Sequence, residues 1–200
     1  MKTPASIALP ASRAWHFAYV FLVLLALVAC TQSEWQELTV NEGGFSVLMR
    51  GQAHYARQPI ETPAGRMVGH LYSSDRPDGY FAVGYSDYPI AHVIGSPAQD
   101  VLTGVRDTWV KRVNGKLEMT SAIEIAGKYP GVEFIAEGTV KGADTLLHGR
   151  LYLVDQRLYQ VIALARKGEM PQGVVNRFMN SFKITPGGAG MIHLTPPPGK

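Results

Sequence analysis

The chain has 200 residues, with 19 Lys and Arg against 16 Asp and Glu, a formal charge of +3 and a single cysteine, Cys30. One cysteine excludes an internal disulfide framework and a thiolate metal cluster, and with no Lys/Arg run or basic helix face there is no nucleic-acid footprint. The length suits one ordinary domain with short tails.

Residues 1–29 read as a secretory signal. Lys2 and Arg13 lie upstream, no acidic residue precedes Glu34, and Phe17 to Ala29 is apolar. That run of about thirteen residues is shorter than the roughly 20 that span a bilayer core, and its small-residue ending suits a cleavage site. An uncleaved anchor and a chance core thiol are the competing readings of the same residues. The words Leu27-Val28-Ala29-Cys30 resemble the lipobox of bacterial lipoproteins. The resemblance implies that Cys30 becomes the first mature residue and carries the acyl chains, palmitate among them, that hold the protein on a membrane. Each buried methylene contributes about 0.8 kcal/mol, so two or three chains anchor far longer than one. Lys2 and Arg13 leave with the signal and no acid does, so the +3 falls to +1. Thr31 stands where some bacteria use an aspartate for inner-membrane retention, which tilts the expected location within the cell envelope toward the outer membrane.

Residues 30–43 are expected to be the lipidated N-terminus and a polar tether, Thr31 to Glu37 in particular. From residue 44 to 185 the pattern is that of one α+β domain. Phe45, Val47 and Met49 alternate with Ser46, Leu48 and Arg50, which predicts a strand. A segment His54–Glu61 follows, then a turn at Thr62-Pro63-Ala64-Gly65, a strand over 66–73, a turn at Arg76-Pro77-Asp78-Gly79 and an aromatic-rich strand over 79–87. The turns are short, so these neighbours should pair antiparallel.

Ser96-Pro97-Ala98-Gln99 predicts a capping box, with Ser96 as N-cap and Pro97 at the first helical position. Val101, Leu102, Val105, Trp109 and Val113 then form one apolar stripe, and Asn114-Gly115 closes the helix with Gly115 at the left-handed position. Strands are expected over 116–126, 132–140, 145–154 and 157–166, with turns at Lys128–Gly131, Lys141–Asp144 and Asp155-Gln156. Pro171 opens a last helix, with Val174, Val175, Phe178, Met179 and Phe182 on one face. Residues 186–200, rich in Gly and Pro, read as a disordered tail. Strands, helix, strands, helix predicts an antiparallel sheet of about seven or eight strands packed between or against two helices.

Several words now stand together: Gly44-Phe45-Ser46-Val47-Leu48-Met49, Thr62-Pro63-Ala64-Gly65, Tyr85-Ser86-Asp87-Tyr88-Pro89, Val113-Asn114-Gly115-Lys116, Tyr129-Pro130-Gly131-Val132-Glu133, Arg150-Leu151-Tyr152-Leu153-Val154, Arg157-Leu158-Tyr159-Gln160 and Arg177-Phe178-Met179-Asn180-Ser181-Phe182. They resemble a group of uncharacterised bacterial proteins with a PsbP-like fold, over roughly Phe45 to Lys183. PsbP is an extrinsic subunit of the photosynthetic oxygen-evolving complex. The resemblance implies an α/β/α sandwich and a non-catalytic adaptor role, and it brings no catalytic motif. Arg50-Gly51-Gln52-Ala53 departs from the Pro-Gly and further proline usual in these relatives, which bears on the local turn.

No Gly-x-Ser-x-Gly elbow, Walker loop, dinucleotide fingerprint or His-x₃-His helix pair is present, so no catalytic residue, cofactor or metal site is assigned. Two constellations remain. His70 and Tyr72 share a strand face, Asp87 ends the next strand, and Tyr88 and His92 follow; these could form a ligand or partner surface, or a plain polar rim. Tyr85 and Tyr88 could meet a partner or pack under the first helix. Glu133, Glu137, His148 and Arg150 share one hairpin face, with Glu137 opposite His148 if the hairpin closes at Val140 and Thr145; a solvated charge ladder contributing about 0.2–1 kcal/mol per pair is the plain alternative to an acid/base pair. The expectation is therefore a lipid-anchored, non-catalytic binding or assembly module of the cell envelope with an envelope protein as partner. The alternatives are a metal or small-ligand binder or enzyme using His70, Asp87 and His92, and a carrier for a small apolar ligand under the sheet.

Overall fold

The computed structural model describes residues 34–62, 65–89 and 95–186. The expectations for the signal, Cys30, His92, the centre of the Thr62–Gly65 turn and the tail from 187 onward lie outside them.

Among the described residues, ten strands and two helices follow in the order β1 (Trp35–Val40), β2 (Phe45–Arg50), β3 (His54–Thr62), β4 (Gly65–Arg76), β5 (Gly79–Asp87), α1 (Ala98–Arg112), β6 (Lys116–Ile125), β7 (Tyr129–Val140), β8 (Ala143–Val154), β9 (Arg157–Arg166), α2 (Gln172–Ser181) and β10 (Lys183–Ile184). Seven strands form one antiparallel sheet in the order β3-β4-β5-β9-β8-β7-β6, and β1-β2-β10 form a small one. The α+β expectation holds, with one central sheet of seven strands between two covering layers.

Period-two alternation sends side chains to opposite faces. On one face Phe81, Val83, Tyr85, Tyr159, Val161 and Ala163 pack against Phe45, Val47 and Met49 of the small sheet and Val175, Phe178, Met179 and Phe182 at α2. On the other, Ala82, Phe134, Ala136, Leu147, Leu151, Leu158 and Ile162 pack against Val101, Leu102 and Val113 of α1.

Five local expectations need correction. The tether gives way at Trp35 to β1, which pairs with β2 from Trp35↔Arg50 to Val40↔Phe45; its half-exposed, polar-flanked residues hid the alternation. Ser96 does not cap α1: the helix starts one residue later, with Pro97 at the cap and no side-chain cap bond. At the other end Asn114, not Gly115, takes the positive φ of 46°. The Asn114 N–H donates to the Lys111 carbonyl and the Gly115 N–H to the Val110 carbonyl, at 3.0 and 2.9 Å, the bond pair of a Schellman ending. Gly115 is needed instead for close approach, since a Cβ there would lie 2.6 Å from the Glu137 carbonyl oxygen. The β6–β7 turn falls on Ala126 and Gly127, both at positive φ, so Tyr129 and Pro130 belong to β7. The β7–β8 hairpin closes at Val140↔Ala143 over Lys141-Gly142, two residues tighter than expected.

Candidate functional site

His70 and Tyr72 do share a face of β4, the face turned toward the small sheet. His70 lies opposite Tyr85 of β5, and their rings stack at 4.4 Å with 5° between planes. Tyr55 of β3 lies opposite Tyr72, with ring centroids 4.9 Å apart. The Tyr55 hydroxyl lies 2.9 Å from His70 Nδ1, a hydrogen bond whose direction follows the imidazole tautomer. Tyr55 is 53% exposed, although two ring contacts and a hydrogen bond fix its position.

Behind this aromatic group stands Arg157 of β9. Its Nε and one Nη donate to the two Asp87 oxygens at 2.6 and 2.8 Å, and the other Nη donates to the Glu42 carbonyl at 2.9 Å. The guanidinium sits 4.8 Å over the Tyr85 ring. The Asp87 hydrogen bonds raise the Arg157 pKa further above its usual range. Burial, helped by Tyr72 and opposed by Arg157, pushes the Tyr85 phenol up to about 12. Burial and the Arg57 charge lower the His70 pKa against the opposing pull of Asp87 and Glu42. The imidazole is thus held toward its neutral form.

The expected rim is therefore partly assembled. His70, Tyr72 and Asp87 lie on one face, but Asp87 is committed to Arg157. Tyr88 is buried on the opposite face, in the core with Val101 and Leu102, as packing under the first helix requires. Among the described residues no three His, Cys, Asp or Glu side chains converge as metal ligands would. Sequence reasoning missed Tyr55 and Arg157; the register of β3 on β4 and of β5 on β9 brings them in, and neither follows from local pattern.

The second constellation shares a face but in a different register. Glu133 lies opposite Arg150, and His148 lies opposite Ile135, not Glu137. Arg150 Nε donates to Glu133 at 2.6 Å and an Nη to the Asn180 amide oxygen of α2 at 2.8 Å. Glu137 pairs with Lys167 at 2.8 Å. Burial lowers the His148 pKa, with Glu133 opposing. The group ties α2 and the β9 turn to the sheet, and its carboxylates are spent on cations.

On the α1 side a half-open cavity of about 490 Å³ lies between the helix and β3, β4, β5 and β9. α1 packs over β6, β7 and β8, so its other flank stands clear of the sheet. Glycines 69, 84 and 104 line the cavity. Glycine inside a strand or helix is the sequence signal for such a place, although only the helix position shows where it lies.

No family model matches the chain, and no curated protein matches it. Among solved structures it is similar to the solution structure of cyanobacterial PsbP, CyanoP, from Synechocystis sp. PCC 6803. The TM-score is 0.52 at 13% identity, over 78% of this chain and 95% of that one. It is also similar, at a TM-score of 0.37 and 13% identity over 70% of this chain and 88% of that one, to a Pseudomonas aeruginosa protein of unknown function, PA94. The chain has a PsbP-like fold.

Proposed function

We propose that this chain is a non-catalytic binding module, held at the cell envelope by lipid on Cys30, that docks an envelope protein on the Tyr55–His70–Tyr72 face. The observation that carries the reading is Tyr55, more than half exposed yet held in place on β3, an edge strand of the main sheet. Tyrosine, tryptophan and arginine dominate interface hot spots, and a side chain already ordered before binding loses less entropy on contact. Arg57 is exposed on the same face of β3, while Pro59 in the same strand lacks the N–H that continuous strand addition needs. The partner therefore meets side chains more than backbone. The lipobox-like residues support the anchor, and the likeness to CyanoP fits a binding domain in fold alone.

The test is in-membrane crosslinking of the full chain followed by capture. A partner should be recovered in near-equal amount, and Tyr55→Ser should lower recovery at least about tenfold, a loss of ~1.4 kcal/mol, while the chain stays folded and loses only the few degrees of melting temperature that its contacts with His70 and Tyr72 contribute. Cys30→Ser should release the protein from the membrane. Absence of a stoichiometric partner, or undiminished capture by Tyr55→Ser, overturns the docking face; a Cys30→Ser chain that stays membrane-bound at normal mature size overturns the anchor.

A further inference from the structure

We propose that the cavity under α1 is a binding site for an amphiphile with one carboxylate head and an apolar tail. The volume, about 490 Å³, lies within the roughly 300–1,000 Å³ of small-molecule sites. Its apolar lining includes Met67, Leu71, Val101, Val105 and Ile162. Its floor is cut low by Gly84 and Ser86, neighbours on one face of β5. At its mouth, a Cβ on Gly104 would meet nothing within 4 Å.

The lining also carries polar side chains, and those that bear on a head group are Ser86, Gln160 and Arg112. Ser86 is 2% exposed, and its hydroxyl has no protein hydrogen bond among the described residues. Its oxygen is not sealed off, since no fully buried side-chain oxygen or nitrogen there lacks a partner. It opens to the cavity. Trp109 Nε1 donates to Gln160 Oε1 at 2.7 Å. An indole N–H can only donate, so the amide must present its oxygen to Trp109 and keeps both Nε2 hydrogens for another acceptor. Gln160 lies opposite Gly84, diagonal to Ser86 on the same sheet face, at the ~7–8 Å spacing of such pairs. Two donors at that spacing can each bond one oxygen of a carboxylate set between them. Arg112 supplies the charge: its guanidinium sits 5.1 Å over the Trp109 ring and has no acidic partner among the described residues. The acids of the rim do not oppose this. Glu61 is engaged with Arg66 at 2.6 Å, and Asp100 lies twelve residues from Arg112, about 18 Å along the helix. The tail then extends from Gln160 toward Met67 and Leu71.

The probe is sodium decanoate below its micellar concentration, titrated calorimetrically into the full chain. The expected result is saturable 1:1 binding, with decanol at least about tenfold weaker. Ser86→Ala and Arg112→Gln should each weaken decanoate about five- to tenfold and change decanol less than about twofold. Gly104→Leu should fill the mouth, weaken both ligands at least about tenfold and raise the melting temperature, since leucine is the better helix former. No saturable decanoate binding, decanol binding as tightly as decanoate, or unchanged decanoate binding by a folded Gly104→Leu chain would each overturn the assignment.

Discussion

Arg157 is the joint of the aromatic face, and Arg157→Met removes its charge while keeping most of its length. The side chain is 10% exposed and its partner Asp87 is 44% exposed. The variant loses two charge-assisted bonds to Asp87, a bond to the Glu42 carbonyl and a cation over Tyr85. Hydrogen bonds to charged groups are worth about 1.5–3 kcal/mol each, and the cation–π contact about 0.5–2. Asp87 is open enough to rehydrate, so these losses do not sum, and the net cost should be ~3 kcal/mol. For a domain of this size each kcal/mol lowers the melting temperature by about 2–4 °C, giving a fall of ~6–12 °C. Urea unfolding followed by circular dichroism measures it. Arg157→Lys keeps a charge but not the two-pronged geometry, so it should lose about half as much. Asp87→Asn should also be costly, because it leaves the buried guanidinium without its counter-charge. If Arg157→Met costs under ~1 kcal/mol, or Arg157→Lys equals the parent, the fork does not organise this face and the reasoning fails.

Gly138→Ala should destabilise by ~2 kcal/mol or more, read as a shifted urea midpoint at unchanged slope. Its Cβ would lie 2.2 Å from the Val113 carbonyl oxygen, which accepts the Thr139 N–H at 2.6 Å, so the C-terminus of α1 must move and break that bond. A midpoint within error of the parent would mean that α1 docks more loosely than the geometry implies. His70 and His148 both have folded pKa values below the unfolded value of about 6.5. The unfolded chain therefore binds their protons first, and stability present above pH ~6.5 is lost as the pH falls through 6.5 toward the folded pKa values. His148→Gln should flatten the acid side of the stability profile in that window; a profile as steep as the parent's would assign the loss to other groups.

Where alternation or helical spacing was strong, the elements were legible: β2, β5 and β9 keep their expected bounds, and the α2 face is Val175, Phe178, Met179 and Phe182 as the spacing predicts. What failed was register. Lys141-Gly142-Ala143-Asp144 contains several turn-compatible pairs, and nothing local selects the first, because Lys141 must adopt a φ of 51° that its type does not advertise. That choice moves Arg150 opposite Glu133 and His148 opposite Ile135. The site suffered similarly. His70, Tyr72 and Asp87 were legible as residues of one sheet face, whereas Tyr55 and Arg157 join them only through the pairing of β3 on β4 and β5 on β9. The cavity was less legible still, since it depends on α1 sitting over β6, β7 and β8.

The strand order carries a consequence for folding. β3-β4-β5 and β6-β7-β8-β9 are each built from successive hairpins, and among the described residues the β5–β9 ladder, from Tyr80↔Leu164 to Asp87↔Arg157, is what sews the two meanders into one sheet. Its pairs are some 70 to 84 residues apart in the chain, so they bear the loop-closure entropy that the hairpins avoid. That seam should close last, and conservative truncations along it, such as Val83→Ala or Val161→Ala, should speed unfolding more than they slow folding. Stopped-flow chevrons decide this; a seam truncation that mainly slows folding would put the seam in the nucleus instead. The aromatic face and the floor of the cavity both straddle it, so either site exists only once the two meanders have met.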